Sequence, residues 1–338
     1  MTAGTRAFGT TKAGEAIEKI TIGSPELSAS FLTLGAILND VRLKGVRHSL
    51  TLGGMTLAAY DNGPMRYFGA IVGPVANRIA KGKAHIGGKE MTLPLNENGK
   101  TTLHGGDIGM HGRAWTVTLH SDEQVTMMLN LADGDEGYPG NRTVFVSYYI
   151  TGTTLTMEIT ATTDAPTIFA PANHSYWNLS GAPMTSGHVL TINADRYNPV
   201  DADLIPTGDA ALVAGTPFDF RYARVLKGDT GHRYDHNFCI ADARRSVQYV
   251  ARLEAPSGLL MEIESTEPGL QVYDGVGVST APHVGQNGAP YIAFAGIALE
   301  AQCWPDGMHH AKFPSVALMP GDTYRQTTRW NFRTSMTL

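Results

Sequence analysis

The sequence predicts an all-β protein built as a large antiparallel β-sandwich. Apolar and polar residues alternate with a period of two wherever a pattern is legible, which is typical of half-buried strands. Glycine and proline fall between these runs as turn residues, and helical patterns are few and short. A sheet with one apolar face must bury that face against another layer, so sheets packed face to face are expected. No linker, repeat or shift in composition divides the chain, which favours a single domain over residues 1–338.

Two hairpins are the first elements that the pattern defines. Residues 83–86 and 89–93 flank Gly87-Gly88, and paired glycines supply the positive φ angles of a tight turn. Residues 144–150 and 154–162 are runs rich in β-branched side chains, joined by a short polar turn. Each pair of runs therefore predicts two antiparallel strands.

Two further strands follow towards the C-terminus. The cleanest alternation predicts a half-buried strand near residue 250, and residues 324–332 again favour a strand. The first of these strands is expected to have four residues on its apolar face: Val247, Tyr249, Ala251 and Leu253.

Composition and charge exclude several classes of partner. The 338-residue chain has a formal net charge of −5 and no block of Lys and Arg, so nucleic acid and anionic membranes are not expected partners. A neutral small molecule is a more suitable ligand for a chain with this charge distribution. The two cysteines, Cys239 and Cys303, lie in apolar or aromatic stretches and are interpreted as buried hydrophobic residues rather than a disulfide. The first 16 residues lack the apolar core of a secretion signal, and no stretch could span a bilayer, so a cytoplasmic protein is expected.

Five segments carry polar residues in surroundings that are otherwise strand-like or aromatic. The five segments span residues 73–79 (GPVANRI), 103–106 (LHGG), 173–179 (NHSYWNL), 234–238 (YDHNF) and 299–302 (LEAQ). Together, and in this order, they resemble the galactose mutarotase (aldose 1-epimerase) family, and the resemblance extends over most of the chain. It implies a β-supersandwich with an open groove that binds a free monosaccharide such as galactose or glucose and interconverts its α and β anomers without a cofactor.

The resemblance implies that Glu300 is the catalytic base and His174 the catalytic acid. Mutarotation needs a proton to leave the anomeric hydroxyl while another reaches the ring oxygen, and one base and one acid suffice. Glu300 follows an apolar run, which is expected to raise its pKa, and imidazole exchanges protons near neutral pH. The alternatives are a surface ion pair for Glu300 and a structural histidine satisfied by Asn178 or a backbone carbonyl.

Five other positions match the family's substrate-holding groups. Structural alternatives remain for them: Arg78 and Asp235 can form a salt bridge, and Leu-His-Gly-Gly can be a simple tight turn. Trp177 or Trp304 is a candidate to stack on the sugar. The five matching residues are Asn77, Arg78, His104, Asp235 and Gln271.

Departures from the family pattern bear on specificity. Pro74 replaces a common arginine, Trp177 replaces a phenylalanine, and residues 308–310 replace a loop that usually contains Pro-Asn-His. His111, His309 and His310 lack the spacing of a metal-ligand motif, so no metal is expected.

Other functions remain as alternatives. A sugar-sensing module would keep the groove without catalysis. An epimerase of sugar phosphates would need a basic cluster, for which Arg221, Arg224 and Lys227 are candidates. A lyase or glycosidase is the third alternative. The sequence specifies neither the aldose nor the oligomeric state.

Overall fold

The computed structural model of the chain describes residues 3–334, and in this range it consists of strands, loops and four short 3₁₀ turns. The first strands are β1 (Gly4–Thr10), β2 (Ala16–Gly23), β3 (Leu27–Leu32), β4 (Ile37–Leu43), β5 (Ile71–Val72), β6 (Arg78–Ala80), β7 (Lys83–Ile86), β8 (Lys89–Thr92), β9 (Thr101–Leu103), β10 (Thr116–His120), β11 (Gln124–Leu131), β12 (Arg142–Thr151) and β13 (Thr154–Thr163). The others are β14 (Thr167–Ile168), β15 (Ala172–Asn173), β16 (Tyr176–Trp177), β17 (Val189–Ile192), β18 (Arg196–Tyr197), β19 (Ala211–Leu212), β20 (Arg224–Val225), β21 (Asp235–Cys239), β22 (Gln248–Glu254), β23 (Leu259–Ser265), β24 (Gly269–Tyr273), β25 (Ile297–Gln302), β26 (Ala317–Leu318) and β27 (Tyr324–Thr334). The 3₁₀ turns are Leu57–Ala59, Asp135–Gly137, Gly228–Thr230 and Gly307–His309.

Three antiparallel sheets form the body of the molecule. A nine-stranded sheet has the order β10-β11-β12-β13-β27-β23-β22-β17-β20, a six-stranded sheet the order β16-β25-β24-β21-β18-β19, and a four-stranded sheet the order β1-β2-β3-β4. The main core draws apolar side chains from all three sheets, including Phe31, Val146, Leu270 and Trp330. The all-β sandwich predicted from the sequence is therefore confirmed.

The predicted hairpins are present with the expected turns. Gly87 and Gly88, both with positive φ, join β7 and β8. Thr151 pairs with Thr154 at the end of the β12–β13 ladder, and Gly152 between them has a φ of 57°. Cys239 and Cys303 are buried free thiols, as expected.

One prediction about a strand face is wrong. Tyr249 on β22 is exposed, while Val250 is fully buried. Tyr249 pairs with Glu264 and Ala251 pairs with Ile263, so Val250 is the extra residue of a β-bulge. The bulge shifts the alternation by one position, which turns the tyrosine outwards.

No helix within residues 3–334 combines the length and the hydrophobicity that are needed to cross a bilayer.

Candidate active site

One face of the six-stranded sheet is polar, and alternation along three adjacent strands explains why. Leu270, Val272 and Leu299 point into the main core. Their neighbours in sequence point to the opposite face, where Gln271 on β24 lies directly across from Glu300 on β25. Asn237 on β21 extends this row, since it pairs with Gln271. The core packing of the apolar residues thus fixes the positions of the polar ones.

Glu300 is the most deeply buried carboxylate of this face. It is 2% exposed, and its Oε2 has no hydrogen-bond partner among the described residues. Burial, reinforced by the charge of Asp235 and opposed by Arg78, raises its pKa well above the ordinary value. A carboxyl group in this state has the basicity needed to exchange a proton with a hydroxyl near neutral pH. The alternative of an exposed surface ion pair does not fit this environment.

His174 lies opposite Glu300, in the loop between β15 and β16. Its Nε2 is 3.7 Å from Glu300 Oε1, and its backbone amide donates to the carbonyl of Ala70. Burial lowers the pKa of His174 to about 4. The side chain of Asn178 instead donates to the carbonyls of Ala182 and Ala295, so it does not hold the imidazole. The structure therefore brings the predicted acid and base together in one buried pair.

Two hydrogen bonds join His104 to Asn77, and the ring of His104 lies next to that of His174. The amide of His104 donates to the carbonyl of Asn77 at 3.0 Å, and the amide of Asn77 donates to His104 Nδ1 at 3.2 Å. Because Nδ1 accepts, the neutral ring has its proton on Nε2. The two imidazole rings of His104 and His174 lie 5.0 Å apart, edge to face. Burial, together with the neighbouring His174, lowers the pKa of His104 well below its ordinary value, so His104 is a neutral donor.

Arg78, Asp235 and Gln271 form a polar network beside the pair. Glu97 binds the guanidinium of Arg78 through two hydrogen bonds of 2.8 and 2.9 Å, and Arg78 Nη1 lies 3.7 Å from Asp235 Oδ2. Gln271 Nε2 donates to Asp235 Oδ1 at 2.5 Å. Burial raises the pKa of Asp235, and the charge of Arg78 and the bond from Gln271 oppose this effect. The suggested Arg78–Asp235 salt bridge is thus only a longer contact, while Glu97 is the main partner of Arg78.

Several residues of this region are not among the site residues predicted from the sequence. Glu97 lies in a loop with no motif, and only the pairing of β6 with β9 brings that loop near Arg78. Tyr67 contacts His104 and His174, with ring centroids 4.8 and 6.0 Å apart. Tyr176 lies 5.1 Å from His174 and pairs with Ala298, two residues from Glu300 on the same face. The sequence offers one indication that Tyr176 belongs to the site: it lies in segment 173–179, which also contains His174.

The two suggested stacking tryptophans do not face this site. Trp177 is fully buried in the main core against Trp330 and Phe332, because its neighbour Tyr176 takes the polar face of the sheet, on the side of Glu300. Trp304 is buried against Phe313. Tyr67 and Tyr176 are therefore the aromatic side chains that accompany the histidines.

The Leu-His-Gly-Gly segment is a tight turn packed against protein. A Cβ on Gly105 would lie 1.9 Å from the carbonyl oxygen of Gly73, and one on Gly106 would lie 2.4 Å from Glu136 Oε2. Both glycines have positive φ. Their role is to place His104, which itself has a φ of 52°.

His309 and the two arginines of the candidate phosphate-binding cluster bind other groups of the protein. His309 Nδ1 bonds to the buried Asp306 at 2.7 Å, and no three His, Cys, Asp or Glu side chains between residues 3 and 334 are grouped as a metal site. Arg221 bonds to Asp219 and Asp195. Arg224 donates to the carbonyl of Pro217. These contacts leave the two arginines poorly placed as a phosphate clamp.

The fold is a β-sandwich, and one face of its six-stranded sheet brings the predicted acid and base together among groups that can hydrogen-bond to hydroxyls. The family model described as aldose 1-epimerase matches residues 18–331. The chain belongs to this family, which confirms the family and the isomerase class predicted from the sequence.

Similar proteins agree in sequence and in structure. Galactose mutarotase from Mus musculus is 38% identical, covering 94% of this chain and 95% of its own. Aldose 1-epimerase from Escherichia coli (strain K12) is 34% identical, covering 79% and 80%. The crystal structure of an aldose epimerase homologue from C. elegans superposes with a TM-score of 0.86 at 30% identity, covering 94% of this chain and 98% of its own.

Proposed function

We propose that Glu300 and His174 interconvert the α and β anomers of a free aldopyranose in this member of the aldose 1-epimerase family. The observation that carries the proposal is the buried pair, with Glu300 Oε1 3.7 Å from His174 Nε2. Glu300 takes the proton of the anomeric hydroxyl while His174 gives its Nε2 proton to the ring oxygen. The C1–O5 bond breaks, O1 becomes a carbonyl oxygen, and C1 rotates about its bond to C2. Closure reverses both transfers, so the pair ends each cycle with the one proton it began with.

The pair is reactive when Glu300 is ionised and His174 is protonated. Burial favours the neutral form of each residue, so the shared proton of the empty pair resides on Glu300. Hydroxyl groups of a bound sugar donate to the carboxylate and stabilise its charge, which favours transfer of the proton to His174. Asn77, Arg78, His104, Asp235 and Gln271 hold the remaining hydroxyls. Asp235 suits two neighbouring hydroxyls, since a carboxylate accepts at both oxygens.

Polarimetry on freshly dissolved aldoses tests this function directly. We expect accelerated anomer exchange of galactose, glucose, xylose or arabinose without added metal, nucleotide or nicotinamide, because proton transfer alone completes the reaction. Prior dialysis against EDTA should leave the rate unchanged. Sugar binding without any acceleration would support the sensing module instead, and loss of turnover on chelation with recovery on adding a divalent ion would refute the proton-transfer chemistry.

The substitution Asp235→Asn should weaken ground-state binding as well as turnover. Asp235 is proposed to hold hydroxyls throughout the reaction, and a hydrogen bond to a charged group contributes about 1.5–3 kcal/mol. We therefore expect KM to rise roughly 10- to 100-fold, with an effect on kcat no larger than this. Arg78 keeps its two bonds to Glu97, so circular dichroism should show an intact fold. Unchanged kcat and KM would show that the segment around Asp235 is structural.

The pH profile of kcat/KM should be broad. The single-proton state of the pair persists between the pKa of His174, lowered to about 4, and the pKa of Glu300, raised well above its ordinary value. Below about pH 4 the pair gains a second proton and Glu300 no longer accepts. At high pH the pair loses its proton and His174 no longer donates. Rates corrected for uncatalysed exchange at each pH would contradict this assignment if the acid limb fell near 6.5, about the ordinary value for histidine.

A further inference from the structure

A cavity close to Tyr67 is lined in part by Arg66 and His111, which both contact the Tyr67 ring. Its volume is about 410 Å³, within the range of roughly 300–1,000 Å³ that small-molecule sites occupy. The tip of the β1–β2 hairpin covers one side, where the amide of Lys12 donates to Asp61 Oδ2 at 2.7 Å. The side chains that matter for its chemistry are those of Lys12, Asp61, Asn62, Arg66, Ile108 and His111.

Tyr67 connects this cavity to the reacting pair. Its ring contacts His111, which lines the cavity, with centroids 4.7 Å apart, and it also contacts His104 and His174. Arg66, another lining residue, lies over the same ring at 4.8 Å. His111 is 4% exposed, and its Nδ1 has no hydrogen-bond partner among the described residues. The contacts therefore run from Glu300 through His174 and Tyr67 to the cavity.

This path relates the cavity to one end of a bound sugar. If the proposed function holds, the anomeric hydroxyl of the sugar lies at Glu300 and its ring oxygen at His174. The ring oxygen is bonded to C1 on one side and to C5 on the other. Going from Glu300 past His174 thus leads away from C1 and towards C5 and its exocyclic C6.

The lining of the cavity favours an uncharged occupant. Lys12 and Arg66 are opposed by Glu15, Asp61 and Asp107, so the lining offers donors and acceptors without a net positive field. A phosphate group would need a surplus of cationic donors. Ile108, which is 49% exposed, adds an apolar surface of the kind that packs against the C–H face of a sugar ring.

We propose that this cavity is a subsite for a neutral glycosyl unit attached through O6 of the reacting aldose. The protein then accepts reducing disaccharides linked through O6. A glycosyl unit linked through O4 projects from the ring in another direction and makes no stabilising contact with the cavity.

Melibiose and lactose test the proposal, because both have a reducing glucose, substituted at O6 and at O4 respectively. We expect kcat/KM for melibiose to be within about tenfold of that for glucose and at least about tenfold above that for lactose, a difference of about 1.4 kcal/mol. Ile108→Trp, which fills the cavity, should lower kcat/KM for melibiose about tenfold or more while glucose and xylose stay unchanged. The control Leu119→Trp, at a comparably exposed site on β10, should alter none of them.

Three results would overturn the subsite. They are lactose turned over as well as melibiose, a melibiose rate unaffected by Ile108→Trp, and an equal loss for melibiose and xylose in that variant. Absent turnover of glucose and xylose by the wild type is a different failure, since it would refute the proposed function. Calorimetry then still tests the cavity, because equal affinity of wild type and Ile108→Trp for melibiose would reject it as a binding site.

Discussion

Glu300→Gln should abolish turnover while leaving sugar binding largely intact. The amide keeps the shape of the side chain and its hydrogen-bonding capacity, but it cannot accept the anomeric proton. We expect kcat to fall by about three orders of magnitude or more, the upper part of the range for a positioned acid or base. Affinity should change less than about tenfold, because the other groups that hold the sugar remain.

Measuring affinity and turnover on the same variant tests whether Glu300 acts in catalysis or only in sugar binding. Calorimetry gives the affinity and polarimetry the exchange rate, on wild type and variant, with circular dichroism to verify the fold. Glu264→Gln is a matched control, because Glu264 lies on β23 in a half-exposed contact with Arg329, away from the six-stranded sheet. Turnover at the wild-type rate in Glu300→Gln would refute the mechanism proposed for this pair.

His174→Asn should lower kcat by roughly two to four orders of magnitude, which is the usual contribution of a positioned acid. The loop should keep its conformation, because its two backbone bonds, to Ala70 and from Gly69, do not involve the side chain. The measurement is the separate determination of kcat and KM, since loss of a group that acts in the transition state lowers kcat more than it raises KM.

His120→Asn is the control for this variant, because His120 is an exposed residue of β10. It should leave both constants at their wild-type values. A His174→Asn variant with unchanged kcat would assign the proton on the ring oxygen to another group, and Tyr67 or His104 would be the next to test.

Local patterns predicted the fold well, and long-range pairing explains where they did not. The Gly87-Gly88 turn and the alternation in β12, β13 and β27 depend only on neighbouring residues, so the sequence was sufficient. The orientation of Tyr249 depends on the bulge at Val250, which is a property of pairing with β23. No periodicity within β22 reveals that bulge, and the predicted face was therefore inverted at this position.

The candidate site likewise has some features that a local pattern predicts and others that depend on long-range pairing. Glu300 and Gln271 lie on one face because each alternates with core residues, which a strand pattern conveys. The partnership of Glu97 with Arg78 requires the register of β6 against β9, which their own sequences do not specify. Tyr176 rather than Trp177 lies on the polar face because Trp177 is the one of these two adjacent aromatic residues that faces the core. The resemblance to a family predicts the site residues, while only their packing gives their partners.

The position of β27 has a consequence for biosynthesis. This strand follows all the other described strands along the chain, yet it lies in the middle of the nine-stranded sheet, between β13 and β23. Until it leaves the ribosome, β13 and β23 each present an unpaired edge to solvent, and such edges invite association between chains. Synthesis interrupted before Tyr324 would therefore leave two separated half-sheets in place of the nine-stranded sheet. Nascent chains of this protein need protection from one another until β27 has been synthesised.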